Sequence, residues 1–124
     1  MPLLNFKKRF VEHIRSGRKH HTIRANRKFP IQPGDPLYLY CGARTKSCFK
    51  ILEQPQPCTR ALPLYAWLKQ SEEITSAAIM IDGNELGSDE LQSLAHHDGF
   101  ESWEEMRTFW IGRYPFQGQI IHWK

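Results

Sequence analysis

Three prolines within seven residues, Pro30, Pro33 and Pro36, together with Gly34 limit the folding of this chain more than anything else in it. Each proline fixes its own φ and removes a backbone donor, so residues 29–36 are excluded from helix and central strand and are expected to turn. Prolines interrupt again across residues 54–60, and Pro115 closes a later helical stretch. Between these breaks lie short segments rich in aromatic and branched residues. Residues 37–40 read as a strand, residues 42–45 as a hairpin connection and residues 47–52 as the returning strand. Short strands separated by proline and glycine turns predict an α+β domain. Its strands are expected to close, or nearly close, into a small β-barrel with helices on the ends. At 124 residues without repeats, the expectation is a single domain over residues 1–124.

The flanking segments carry helical signals. After a short strand at residues 3–6, Phe6, Phe10, Val11 and Ile14 follow a helical period that Ser16-Gly17 should end. Residues 62–68 fit a short strand or a local helix, and residues 74–81 a strand closed by Asp82-Gly83-Asn84. Ser88 is placed to cap a helix to about His96, with Leu91 and Leu94 inward. Ser102 and Glu105 have capping-box spacing for another helix, with Met106, Phe109, Trp110 and Ile111 on its apolar face. Residues 117–123 form the last expected strand.

Charge is distributed unevenly. Residues 1–28 hold nine Lys/Arg against Glu12 alone, whereas residues 70–105 hold ten Asp/Glu and no Lys/Arg. The basic end suits phosphate. The acidic segment has two further readings: it faces the basic one and neutralises it, or it grips a basic protein by mimicking nucleic acid. The apolar runs are too short for a membrane-spanning helix, and the basic start lacks a signal-peptide core, so a cytoplasmic location is expected. Three cysteines, an odd number, argue for buried free thiols over a disulfide framework. The adjacent pairs His20/His21 and His96/His97 are expected to point apart, so no metal and no cofactor is expected.

The densest chemistry lies in residues 17–27. Arg18, Lys19, Arg24 and Arg27 surround His20, His21 and Thr22. In an extended chain Lys19, His21 and Ile23 share one face, and His20, Thr22 and Arg24 the other. A bend after Gly17 would swing the Lys19 amine towards the Thr22 hydroxyl. For nucleic acid, Arg9, Arg15, Arg18, Lys19, Arg24, Arg27 and Lys28 are candidate phosphate contacts. Tyr38, Tyr40, Phe29 and Trp123 are candidate stacking platforms, though Tyr38 and Tyr40, alternating with Leu37 and Leu39, also fit a core. His20 or His21 would serve as acid or base if RNA were cleaved through its 2′-hydroxyl.

Phe10-x-x-x-Ile14-x-x-Gly17-x-Lys19-x-x-Thr22-Ile23-Arg24, followed by Pro33-Gly34-Asp35-x-Leu37-x-Leu39-Tyr40, resembles the ASCH domain family of the PUA-like superfamily. Asp98-Gly99-Phe100-x-Ser102 and the acidic residues before Phe109 extend the resemblance, and residues 54–90 are covered least. The resemblance implies a small β-barrel whose cleft takes RNA, a nucleotide or a modified nucleoside. Some small bacterial members look like amidohydrolases that remove the acetyl group of N(4)-acetylcytidine, using a Lys-x-x-Thr pair and an acid. Carried across, these catalytic residues are Lys19, Thr22 and Asp98, with Arg18, His21, Arg24, Arg27 and Tyr40 as base- or nucleic-acid-binding candidates. Asp98 stands where the amidohydrolases have Glu, which shortens its reach by about 1.5 Å. Other ASCH proteins imply the alternatives of a ribonuclease or a non-catalytic single-stranded RNA-binding module.

Overall fold

A computed structural model describes residues 3–70 and 75–124. The chain opens with strand β1 (Leu3–Phe6), a 3-10 turn at Lys8–Phe10 and helix α1 (Val11–Arg15). It continues through β2 (His21–Ala25), β3 (Pro36–Cys41), β4 (Phe49–Lys50), β5 (Gln56–Pro57), β6 (Arg60–Gln70), β7 (Thr75–Ile81) and β8 (Asn84–Glu85). Helices α2 (Ser88–His97) and α3 (Trp103–Phe109) then precede β9 (Phe116–His122).

The α+β class holds, but the expected barrel does not. The strands form two open sheets, one built from β1, β3, β4 and β5, the other in the order β2-β9-β6-β7-β8. β1 runs parallel to β3, Leu4 opposite Leu39, and does not continue the sheet of β2. Proline chemistry explains why the smaller sheet stays open. Pro55 just before β5 and Pro57 within it lack donors, and the strand expected at residues 47–52 is reduced to Phe49–Lys50. A two-residue strand cannot carry a ladder round to the next edge.

The larger sheet is antiparallel throughout and more regular. The stretch left open between strand and helix is the eleven-residue β6. Its first half pairs with β9, from Arg60 opposite His122 to Ala66 opposite Phe116, and its second half with β7, starting at Leu64 opposite Ile81. Pro63 is tolerated because it pairs only on the β9 side, while its carbonyl accepts from the Asp82 amide at 2.9 Å. The strand expected from residue 74 begins at Thr75, residue 74 itself lying outside the described residues.

The helices and both sheets contribute to one core. The core joins Leu4, Phe6, Phe10 and Ile14 to Leu37 and Leu39 of β3, Ile79 of β7, Ile120 and Ile121 of β9, and Phe100 and Met106 near α3. Gly17 ends the first helical stretch at φ +87°, the left-handed value its position requires. Gly87 caps α2, its amide donating to Glu90 Oε1 at 3.0 Å, so the cap falls one residue before the expected Ser88. Half of the expected box at α3 forms: Ser102 Oγ accepts from the Glu105 amide at 3.1 Å, while the Glu105 carboxylate pairs with Arg9. Ile111 is 72% exposed and lies past that helix rather than on its buried face. Cys41 and Cys58 are buried thiols, but Cys48 is exposed.

The two oppositely charged segments meet at several points. Arg9 pairs with Glu105 at 2.6 Å, Arg18 with Glu101 at 3.8 Å and Lys19 with Asp98 at 2.6 Å. Facing and neutralisation therefore account for part of the charge division. No helix among the described residues is long and apolar enough to cross a membrane.

Candidate functional site

The chain leaves Gly17 in a turn held by the Lys19 amide, which donates to the His13 carbonyl at 2.8 Å. That bond folds Lys19 back under α1 before β2 begins at His21. The expected bend therefore exists, but it carries the Lys19 amine to Asp98 and not into a bond with the Thr22 hydroxyl, and strict alternation applies only from His21 onward. Lys19 and Thr22 line one cleft; His20 and His21 line a different cavity.

The cleft has a volume of about 270 Å3, near the lower end of small-molecule pockets. Its walls are the rings of Phe6, Phe10, Phe100, Phe109, Trp110 and Phe116, and its polar groups include Asn5, Lys19, Thr22, Arg24 and Asp98. Asp98 reaches the site because it follows α2 directly and precedes Gly99, whose φ of +102° turns the chain back into the core. A side chain at Gly99 would also meet the Phe10 ring at 2.7 Å.

Lys19 is 3% exposed and Asp98 6% exposed. Lys19 Nζ donates to Asp98 Oδ1 at 2.6 Å and to the Asp98 main-chain oxygen at 2.7 Å. The shorter acid thus reaches the amine without the extra methylene of Glu. Burial lowers the Lys19 pKa below its ordinary 10.5; the Asp98 carboxylate opposes this and Arg24 adds to it. For Asp98, burial pushes the carboxyl up, but Lys19 and then His21 outweigh it, and the group titrates below its ordinary value. His21 Nε2 stands 3.3 Å from Asp98 Oδ1, without the alignment of a hydrogen bond. A neutral Lys19 would have two N–H groups, which the two Asp98 oxygens match, and one lone pair left over.

Thr22 is 5% exposed, and its hydroxyl accepts from Arg24 Nε at 3.2 Å. Arg24 also donates to the Asn5 carbonyl at 2.7 Å and lies 4.8 Å over the Phe6 ring. The guanidinium is therefore fixed beside the hydroxyl by three contacts. Lys19 Nζ sits 5.0 Å from the Phe10 ring centre, so the amine has an aromatic face as well as a carboxylate.

Comparison of the chain with protein-family models, curated proteins and solved structures finds no match. The site has to be read from its own geometry.

The remaining candidates are dispersed. Arg18 donates to the carbonyls of His96 at 2.9 Å and Phe100 at 2.7 Å, holding the segment that carries Asp98 instead of lining the cleft. Arg27 is exposed and outside it. Tyr40 is half-buried on β3, opposite Asn5 and Lys50, and also outside it. Arg9 and Arg15 are engaged with Glu105 and with the Ile51 carbonyl. Trp123 belongs to the core, while Phe29 is 76% exposed.

The sequence reading missed the cleft's aromatic walls and its basic mouth, where Lys7 and Arg113 stand. Phe109 and Trp110 fit a buried helix face by spacing; in the structure Phe109 is half-buried at the end of α3, Trp110 is buried just past it, and both line the cavity. The reading also placed the histidines of residues 20 and 21 apart. In the structure one ring nitrogen each from His20, His21 and His122 lies within 4.8 Å of the others.

Proposed function

We propose that this protein is a hydrolase of ASCH type acting on a nucleoside or an RNA base, with N(4)-acylated cytidine as its substrate class. What carries the reading is a buried amine–carboxylate pair, Lys19 with Asp98 at 2.6 Å, on the floor of a small cleft walled by aromatic rings. Such walls suit a flat base, and the volume suits one base better than a run of them. The residues that the ASCH resemblance assigns to catalysis all line this cleft.

In this reading the Thr22 oxygen attacks the acetyl carbonyl carbon and its proton passes to the neutral Lys19 amine. Arg24, already bonded to the Thr22 oxygen, stabilises the oxyanion. The C–N bond then breaks, and Lys19 returns the proton to the departing N4 nitrogen, giving cytidine and an acetyl ester on Thr22. Water, deprotonated by Lys19, hydrolyses that ester to acetate. Asp98 orients the amine, and burial lowers its pKa, the direction that enlarges the share of neutral base the step draws on.

The test is to incubate the protein with N(4)-acetylcytidine and follow free cytidine, alongside Lys19→Met and Thr22→Val. Turnover by the unaltered chain and a loss of at least about 100-fold in both variants is expected. Intact substrate, or turnover that survives Lys19→Met, rejects the reading. The non-catalytic alternative draws on Lys7, Arg24 and Arg113 around the cleft. It would be favoured by salt-sensitive binding of short single-stranded RNA without turnover.

A further inference from the structure

Behind β2, on the other side of Asp98 from the aromatic cleft, lies a second cavity of about 440 Å3 that the hydrolase reading does not use. Its floor is imidazole. His21 and His122 are directly opposed on the antiparallel strands β2 and β9, so their side chains leave the same face, with ring centres 5.3 Å apart. His20 precedes β2 and is pinned by its own carbonyl, which accepts from the Trp123 amide at 3.0 Å. Its ring lies 5.9 Å from that of His21 and 6.5 Å from that of His122.

Two features distinguish this cluster from histidines merely packed together. His20 Nδ1 and His21 Nε2 are buried without a hydrogen-bond partner, whereas buried polar atoms are almost always paired. His21 Nε2 also lies 3.3 Å from Asp98 Oδ1. A small ring rotation would let it donate there and leave His21 Nδ1 as a ligand atom. A histidine bridging a carboxylate and a metal is a common way of fixing the tautomer of a ligand.

We propose that His20, His21 and His122 bind one divalent transition-metal ion of the zinc type. Three imidazoles favour zinc, cobalt, nickel or copper over magnesium and calcium, which prefer oxygen. Tetrahedral zinc with Zn–N of about 2.0–2.1 Å needs ligand nitrogens roughly 3.3 Å apart. The rings must therefore close in from their present separation of up to 4.8 Å, through side-chain rotation beside a cavity that has room for it. The fourth position would face that cavity, where Asp89, Glu90 and His97 stand on α2. Arg60, opposite His122 on β6, is the one Lys/Arg among the described residues lining the cavity, and the two carboxylates offset it.

The proposal is independent of the reaction assigned to the cleft, and its test reads binding, not turnover. The metal-stripped full chain is titrated with zinc by calorimetry and with cobalt by visible absorption. One ion per chain is expected, with cobalt bands of tetrahedral type and no response to magnesium. His122→Gln and His20→Gln are each expected to weaken zinc at least about tenfold, while His96→Gln, an exposed histidine outside the cluster, leaves it unchanged. Imidazole NMR of the unaltered chain locates the ligands even if a variant fails to fold. Zinc-dependent shifts confined to His20, His21 and His122 support the site. Absence of binding, equal affinity in the variants, or shifts centred on His13 or His96 overturns it.

Discussion

The two cavities have no lining residue in common, meet where His21 approaches Asp98, and differ in almost everything else. The aromatic cleft pairs its one buried amine with its one buried carboxylate, each holding the other in place at 2.6 Å. The histidine cavity crowds three rings together and leaves two ring nitrogens unpaired. In the cleft, opposite charges compensate each other's burial, and the polar groups are positioned before any ligand arrives. In the histidine cavity the groups are close but unsatisfied, so they gain most from something added. The lesson is that burial alone does not define a site; what matters is whether the buried groups already have partners.

The largest expected effect removes both cavities at once. Gly118 on β9 faces Ala25 of β2, and a Cβ there would run into the Arg24 carbonyl. Gly118→Val should break the β2–β9 pairing and cost about 3 kcal/mol or more, read as a lowered urea midpoint together with loss of zinc binding. A normal midpoint would mean that β2 is not held as described.

Asp98→Ala comes next. It strands the Lys19 amine in a buried site and should destabilise the protein by about 3–5 kcal/mol, less to the extent that the amine gives up its proton. Turnover should vanish with it. Asp98→Asn, which keeps an acceptor, should recover part of the stability but not the activity.

The pH dependence separates the cavities without altering more than one residue in each. Burial first, then the neighbouring His21, Arg60 and His20, lowers the His122 pKa from 6.5 to about 4. Between those values the unfolded chain binds the proton that the folded chain refuses, so stability falls as pH drops through this window. The Asp98 pKa is lowered, so its contribution is present above about pH 4 and is lost only below it. In the metal-free protein His122→Gln should make the upper window shallower, leaving the part that the lowered His13 and His20 contribute, and should leave the lower one. Asp98→Asn should do the reverse. Urea midpoints measured from pH 3 to 7 would show it, and a single merged transition in both variants would contradict the assignment.

The smallest effect on stability, under about 1 kcal/mol, is expected for Thr22→Val, which keeps the strand and the shape. Its consequence for turnover should be among the greatest. Thermal melting beside a kinetic assay checks both at once.

Much of the cleft was legible because its signals are local. The glycine that ends the first helical stretch, the Lys19-x-x-Thr22 spacing and the Ser102 cap each depend on a few neighbouring residues. Resemblance names Lys19 and Asp98 for one site without showing that they meet, and geometry supplies the reason they do: Arg18 ties the segment of residues 96–100 to the turn that carries the amine. What could not be read depends on contacts between distant strands. Closure into a barrel was inferred from strand length and turn chemistry, which do not reveal that β1 pairs with β3 in a separate sheet. The histidine cluster needs residues 21 and 122 opposite each other, a register set by the whole length of β2 and β9. The one local clue was missed: alternation cannot be applied to His20, because the strand starts after it.

Asp98 stands in the partition between the two chambers, its carboxylate touching Lys19 on one side and His21 on the other. One side chain therefore answers to both, and free-energy changes made on opposite sides of it will not sum. Whatever tightens the grip of one neighbour on that oxygen is expected to loosen the other's, so an ion held by the histidines should be felt at the amine.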